Sequence, residues 1–215
     1  MAIRRKIFIA TAAILAVLAF SSARPQSAAV RTIIDEWASV KPPPPPELKP
    51  ASADPKTTAL LMLDFLKPNC GARPRCLASV PRVKALLKAA RAANATVIYS
   101  FFGATKASDI VDPSLAPAPG DFSVTSSADK FLDTDLEKTL KDKGIRTVIT
   151  VGSAANGAVL YTASSAALRG LKVIVPVDGI SSGDLYSEQL TAWQLANGPG
   201  FADQVTLTTT DRIKF

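Results

Sequence analysis

The 215 residues contain no histidine. That removes Ser-His-Asp and Cys-His catalysis, and with them the commonest zinc ligand. The remaining chemistry gathers at a few positions. Asp64 ends the apolar run "ALLMLDF". An acid there is costly to bury unless it is paired or in use; the competing reading is an Asp that caps the next turn. The stretch "VGSAANGAVLYTAS", Val151 to Ser164, has the form of a strand-turn-helix site, yet it holds no Cys, and Ser153 is the only hydroxyl near the turn. Ala154, Ala155, Asn156 and Gly157 make up the turn and are candidates for substrate binding. Asn156 is placed to cap the following helix, Gly157 allows close backbone approach, and free N–H groups at the helix start would favour a negative charge. Phe102 is a candidate crevice wall, with core packing as its alternative. Asp178, next to Gly179, is read as a turn residue, and Tyr161 and Thr162 as packing groups.

The elements that must position these residues alternate. "ALLMLDF" (59–65) reads as a strand buried on both faces. "SVPRVKALLKAARAAN" reads as a helix with Val80, Val83, Leu86, Leu87 and Ala90 on one stripe, Ser79 as N-cap and Asn94 as C-cap. "TVIYSFF" (96–102) is a second strand, and a loop follows over about 103–120. "TDLEKTLKDKG" opens with a Thr134/Glu137 capping box and closes at Gly144. "IRTVITV" is a strand, "NGAVLYTASSAALRG" a helix, "LKVIVPV" a strand, "GDLYSEQLTAWQLA" a helix and "QVTLTT" a final strand. Strands alternating with helices predict an α/β fold: three layers, α/β/α, around a mostly parallel doubly wound sheet. Ligands bind such sheets beyond the carboxyl ends of the strands, where strand order reverses. If the strands before Asp64 and before the "GSAANG" turn are neighbours there, both face one crevice.

The N-terminus reads as an export signal over residues 1–28. "MAIRRK" is the positive segment, "IFIATAAILAVLAF" the apolar one, and "SSA" and "QSA" are candidate cleavage sites. At 14 residues the apolar run is short for a membrane span, which needs about 20; an uncleaved anchor is the rival reading. Four basic residues fall in this segment and no acids, so the formal charge of +7 falls to +3 without it. The remaining basic residues are scattered, which argues against a nucleic-acid footprint. A periplasmic or secreted location is expected, with no stable membrane association after cleavage. Under oxidising conditions Cys70 and Cys76, the two cysteines, could close a small loop disulfide; two separate thiols are the alternative. Residues 29–57 form an arm in which Pro42–Pro46 enforce an extended stretch. Residues 58–215 form the one globular domain.

The chain also resembles a known group. "ALLMLDF", "VPRVKALLKAARAANATVIYS", "TDLEKTLKDKGIRTVITVGSAANGAVLYTASSAALRG" and "LKVIVPVDGISS" follow, in order and spacing over about 58–183, the isochorismatase-like hydrolase superfamily, also called the cysteine hydrolases. The resemblance implies that Asp64 is the catalytic acid. It lays the family's nucleophilic Cys on Ala158, which has no nucleophile. The nearest lysine to the family's catalytic Lys is Lys130 in "SSADKFLDT", displaced toward the next helix; an ordinary surface lysine is the alternative. The His-based metal site of the nicotinamidases has no counterpart, so no metal and no cofactor are expected. The true isochorismatases also lack the Cys. Their reaction needs a proton delivered to an enol carbon and water added to the resulting cation, work for a carboxyl held partly protonated. Burial would raise the pKa of Asp64 and a nearby ammonium would oppose this, so Lys130 is expected to act on substrate or water. The implied protein is a hydrolase of a small molecule, expected to self-associate as a homo-oligomer. The alternatives are an inactive relative that binds a small molecule, or a structural role.

Overall fold

The computed structural model describes residues 30–215, so the expected export signal lies outside the described residues. The chain divides at Pro42/Pro43 into two units. In the first, a short helix α1 (Ile33–Glu36) starts at Thr32, which forms a reciprocal capping box with Asp35, and one 3-10 turn (Trp37–Ser39) follows. Ile33, Ile34 and Trp37 are exposed.

The second unit, Pro43–Phe215, starts earlier than the domain boundary read from the sequence. The second half of the arm belongs to it. Lys49 N–H donates to the Leu207 carbonyl, Arg212 donates to the Leu48 carbonyl, and Ala53 N–H donates to the Lys214 carbonyl. Strand β1 (Ala51–Ser52) opens this unit, and β2 (Thr58–Leu63) has all six residues buried. Then come α2 (Lys67–Cys70), α3 (Pro74–Ala92), β3 (Thr96–Phe101), β4 (Phe122–Thr125) and α4 (Leu136–Asp142). Next are β5 (Thr147–Ser153), a π-helical turn (Ala155–Val159), α5 (Leu160–Leu168), β6 (Lys172–Pro176) and β7 (Ile180–Ser181). The chain ends with α6 (Leu185–Asn197), β8 (Val205–Thr208) and β9 (Ile213–Lys214).

Side-chain alternation along the strands sorts the core into two halves. Leu60 and Met62 of β2, with Val97 and Tyr99 of β3, pack with Val83, Leu86, Leu87 and Ala90 of α3. Ala59, Leu61 and Leu63, with Ile98 and Val148, pack with Leu136 and Leu140 of α4, Ala163 and Ala166 of α5 and Leu195 of α6. A sheet thus lies between one helix layer and another. Each fully buried Leu contributes roughly 1.5–3 kcal/mol to this arrangement.

The sheet has seven strands in the order β4-β3-β2-β5-β6-β8, with β7 pairing β5, and all of its pairings are parallel. The chain winds outward from β2 to β4 and then returns to the other side of β2 with β5. The reversal therefore falls between β2 and β5, where Leu63 stands opposite Gly152. A Cβ on Gly152 would lie 2.3 Å from the Leu63 carbonyl oxygen and 2.6 Å from its Cβ. Only glycine allows the two strands to approach so closely here.

Several local expectations shift. Helix α3 begins at Pro74, not Ser79, because a proline is well placed in the first turn. Pro81 then sits inside the helix and Ser79 donates to the Cys76 carbonyl. Helix α4 has no Thr134/Glu137 box: Thr134 donates to the Lys130 carbonyl and accepts from Leu136 N–H. Asn94, Gly144 and Gly170 all take positive φ just after helices, as C-terminal caps do.

Candidate active-site cleft

Asp64 follows β2 directly and adopts a left-handed φ of 53°. Asp tolerates this region better than most residues. Ser100 on the neighbouring β3 holds it in place. The Ser100 hydroxyl donates to Asp64 Oδ1 at 2.6 Å, and Asp64 N–H donates to Ser100 Oγ at 3.2 Å. The other carboxylate oxygen meets Lys130. Its Nζ lies 2.8 Å from Asp64 Oδ2 and donates to the carbonyls of Ser127 at 2.6 Å and Ser126 at 3.2 Å. Three oxygen partners account for all three ammonium protons. The Lys130 side chain is 0% exposed. Its backbone is fixed by Thr162 Oγ1, which accepts from Lys130 N–H, and by Thr134.

Burial raises the pKa of Asp64 above 3.8, and the attraction and hydrogen bond of Lys130 pull the other way without cancelling the rise. Lys130 thus opposes the shift by direct contact. The expectation that it would turn instead to substrate or water is corrected here: its protons are spent on Asp64 and two carbonyls. Thr162, read as a packing residue, is part of what positions it. Tyr161 is exposed.

Asp64 opens onto a cleft of about 480 Å³. The wall opposite β2 comes from the end of β5. Ser153 and Ala154, joined by a cis peptide bond, line it, as does Ala158 from the π-helical turn. Phe102 and Gly103 contribute another side, and Ser126–Ala128 a third. The structure therefore brings together Asp64, Ala158, Ala154 and Phe102, with Lys130 directly behind the carboxylate.

Three turn residues go elsewhere. Ala155 is fully buried in the core half that holds α5. Asn156 does not cap the helix. Its amide donates to Ser187 Oγ, and its carbonyl accepts from Ser182 Oγ, tying the turn to the α6 side. Gly157 N–H and Val159 N–H both donate to the Ala154 carbonyl, so these two backbone donors are used within the turn. The physical reason is the wider π-helical winding, which delays the α-helix to Leu160. Asp178 accepts from Thr210 N–H and Oγ1, joining the β6 end to the segment after β8.

Two cleft residues were not singled out from the sequence. Asn69 donates to the Ser153 carbonyl at 2.9 Å, and Arg73 donates to Ser153 Oγ at 3.3 Å. Both lie in "NCGARPRC", where a disulfide joins Cys70 and Cys76. The cysteines drew attention to the loop as a staple. The Arg-Pro step inside it was the readable signal for an ordered side chain.

A larger hollow of about 770 Å³ lies among Pro43–Glu47, Trp193 and Val205–Leu207. Its charged members, Glu47, Lys49 and Asp203, are all exposed. It holds no buried titratable group, so the smaller cleft is the better candidate for chemistry.

Fold and cleft together define a three-layer α/β protein of the isochorismatase-like type. Its acid ends one central strand and its turn follows the neighbouring strand. The isochorismatase domain family matches residues 58–210, and the chain belongs to that family. Among individual relatives, the "Secreted isochorismatase effector Isc1" of Verticillium dahliae is 34% identical over 119 residues. That match covers 50% of this chain and 62% of the relative, less than two thirds of its length. Solved structures share the fold at lower identity. A cysteine hydrolase from Pseudomonas syringae pv. phaseolicola aligns with a TM-score of 0.66 at 23% identity, over 79% of this chain and 94% of its own. An isochorismatase-like hydrolase from Alkaliphilus metalliredigens aligns with a TM-score of 0.64 at 24% identity, over 73% and 96%.

Proposed function

We propose that this protein is an exported hydrolase of a small molecule that uses Asp64 as its acid and base, with no side-chain nucleophile at position 158. The observation that carries the reading is a buried carboxyl, opening on the cleft, with its pKa pushed up by burial. A carboxyl so placed keeps a proton to give at higher pH than an exposed one. On an enol ether, Asp64 would protonate the enol carbon and water would add to the cation. The hemiketal would then release the alcohol, with one proton returning to Asp64. Lys130, 2.8 Å away, would stabilise the carboxylate left after donation. Export is supported by the basic-then-apolar N-terminus, by the disulfide and by the similarity to a relative named as a secreted effector.

One observation favours a second reading, that of a binding protein without turnover. Ala158 leaves the turn without a nucleophile, and the tight Asp64–Lys130 pair favours the ionised carboxylate. The experiment is a screen of the purified protein against enol ethers, esters and amides, with Asp64→Asn in parallel. The hydrolase reading expects turnover that falls by at least about 100-fold in Asp64→Asn, with the folded spectrum unchanged. Turnover retained in that variant sinks the role of Asp64. No turnover across the panel, together with ligand-dependent thermal shifts, selects the binding reading.

A further inference from the structure

Among the residues lining the cleft only two are charged, Asp64 and Arg73. Asp64 is neutralised by Lys130. Arg73 has no carboxylate within 4.0 Å among the described residues. Four of the other six arginines of the same domain, Arg75, Arg82, Arg91 and Arg169, each have one, in Glu188, Asp178, Asp121 and Glu137. The Arg73 side chain donates to Ser153 Oγ through one nitrogen of the fork. Ser153, itself fully buried, accepts in that bond and so anchors the guanidinium at the cleft.

Arg73 is also held in place. Pro74 follows it, which pushes its backbone out of the helical region to φ −112°, ψ 103°. Arg73 N–H donates to the Cys70 carbonyl, and the Cys70–Cys76 disulfide closes the loop around it. A solvated surface arginine needs no such fixing, whereas a ligand clamp gains affinity from it. A planar guanidinium matches a carboxylate with two parallel hydrogen bonds.

We propose that Arg73, with the Ser153 hydroxyl beside it, is the specificity residue of this cleft and selects substrates that carry a carboxylate group. The proposal rests on the reading of the cleft as a small-molecule site. Asp64 acts on the scissile end, and Arg73 fixes the charged end.

The test measures binding without turnover, by titrating benzoate and its neutral isostere benzamide into the full chain under oxidising conditions. Benzoate is expected to bind about ten-fold more tightly than benzamide. Arg73→Gln should erase that preference, and Arg73→Lys should keep part of it. Asp64→Asn removes a negative charge from the cleft and should not reduce the preference, so failure of the hydrolase reading leaves this outcome intact. Lys138→Gln, an exposed charge change on α4, controls for net charge and should leave the preference unchanged. Equal binding of the two probes, no saturable binding of either, or a preference that survives in a folded Arg73→Gln protein would overturn the assignment.

Discussion

The Asp64–Lys130 pair gives a prediction whose size and pH dependence both follow from its geometry. In Lys130→Met the carboxylate would lose its ammonium partner while staying buried, keeping only the hydrogen bond from the Ser100 hydroxyl. Removing one member of a buried pair costs about 3–5 kcal/mol. For a domain of this size each kcal/mol lowers the Tm by roughly 2–4 °C, so a fall on the order of 10 °C is expected near neutral pH. The sign with pH is fixed by the direction of the shift. The folded Asp64 carboxyl binds its proton more tightly than the unfolded one, whose pKa is 3.8. Its contribution to stability is therefore lost as pH rises from about 4 through the folded pKa, and is constant above. Lys130 restrains that rise, so the variant's window extends to higher pH than the wild type's. The penalty of Lys130→Met should thus grow with pH and shrink on acidification, as protonated Asp64 no longer needs a cation. Urea unfolding at about pH 5 and about pH 8 reads this directly. The double variant Asp64→Leu/Lys130→Met should recover most of the loss, because neither charge is left alone. A penalty below about 1 kcal/mol, of the size seen for exposed pairs, would refute the premise that the pair is dry. So would a penalty that grows on acidification.

Two further outcomes follow from the same frame. Gly152→Ala should cost about 3 kcal/mol or fail to fold, because the added methyl meets backbone and Cβ of Leu63 rather than a flexible side-chain tip; chemical denaturation checks it. Replacing Cys70 and Cys76 by Ser should lower stability by about 2 kcal/mol through the freed unfolded chain, and calorimetry with and without reductant should give the same difference.

The sequence made the sheet legible because β2, β3, β5 and β6 are short apolar runs between clear helical stripes. It missed β4 (Phe122–Thr125), where only Val124 is buried and no alternation stands out. It also missed β1, β7 and β9, each of two residues and too short to carry a period. Asp64 was legible because an acid at the end of an apolar strand demands a reason. The partner of Lys130 was not, since 66 positions of chain separate the two and only the fold joins them. The turn misled for a local reason. Asn156 and Gly157 look like a helix start, yet the π-helical winding sends Asn156 to Ser182 and Ser187 and spends the Gly157 N–H on Ala154. Arg73 stayed hidden because the cysteines beside it explain the loop by themselves.

The small ladder of β1 with β9 has a consequence for how the domain is made. Ala51 pairs with Ile213 and Ser52 with Lys214, so the first strand of the domain waits for its last. During synthesis the segment 48–53 has no partner until residues 205–214 have emerged. The domain therefore reaches its final state only after that last segment has joined it. Any emerging intermediate is missing this clasp.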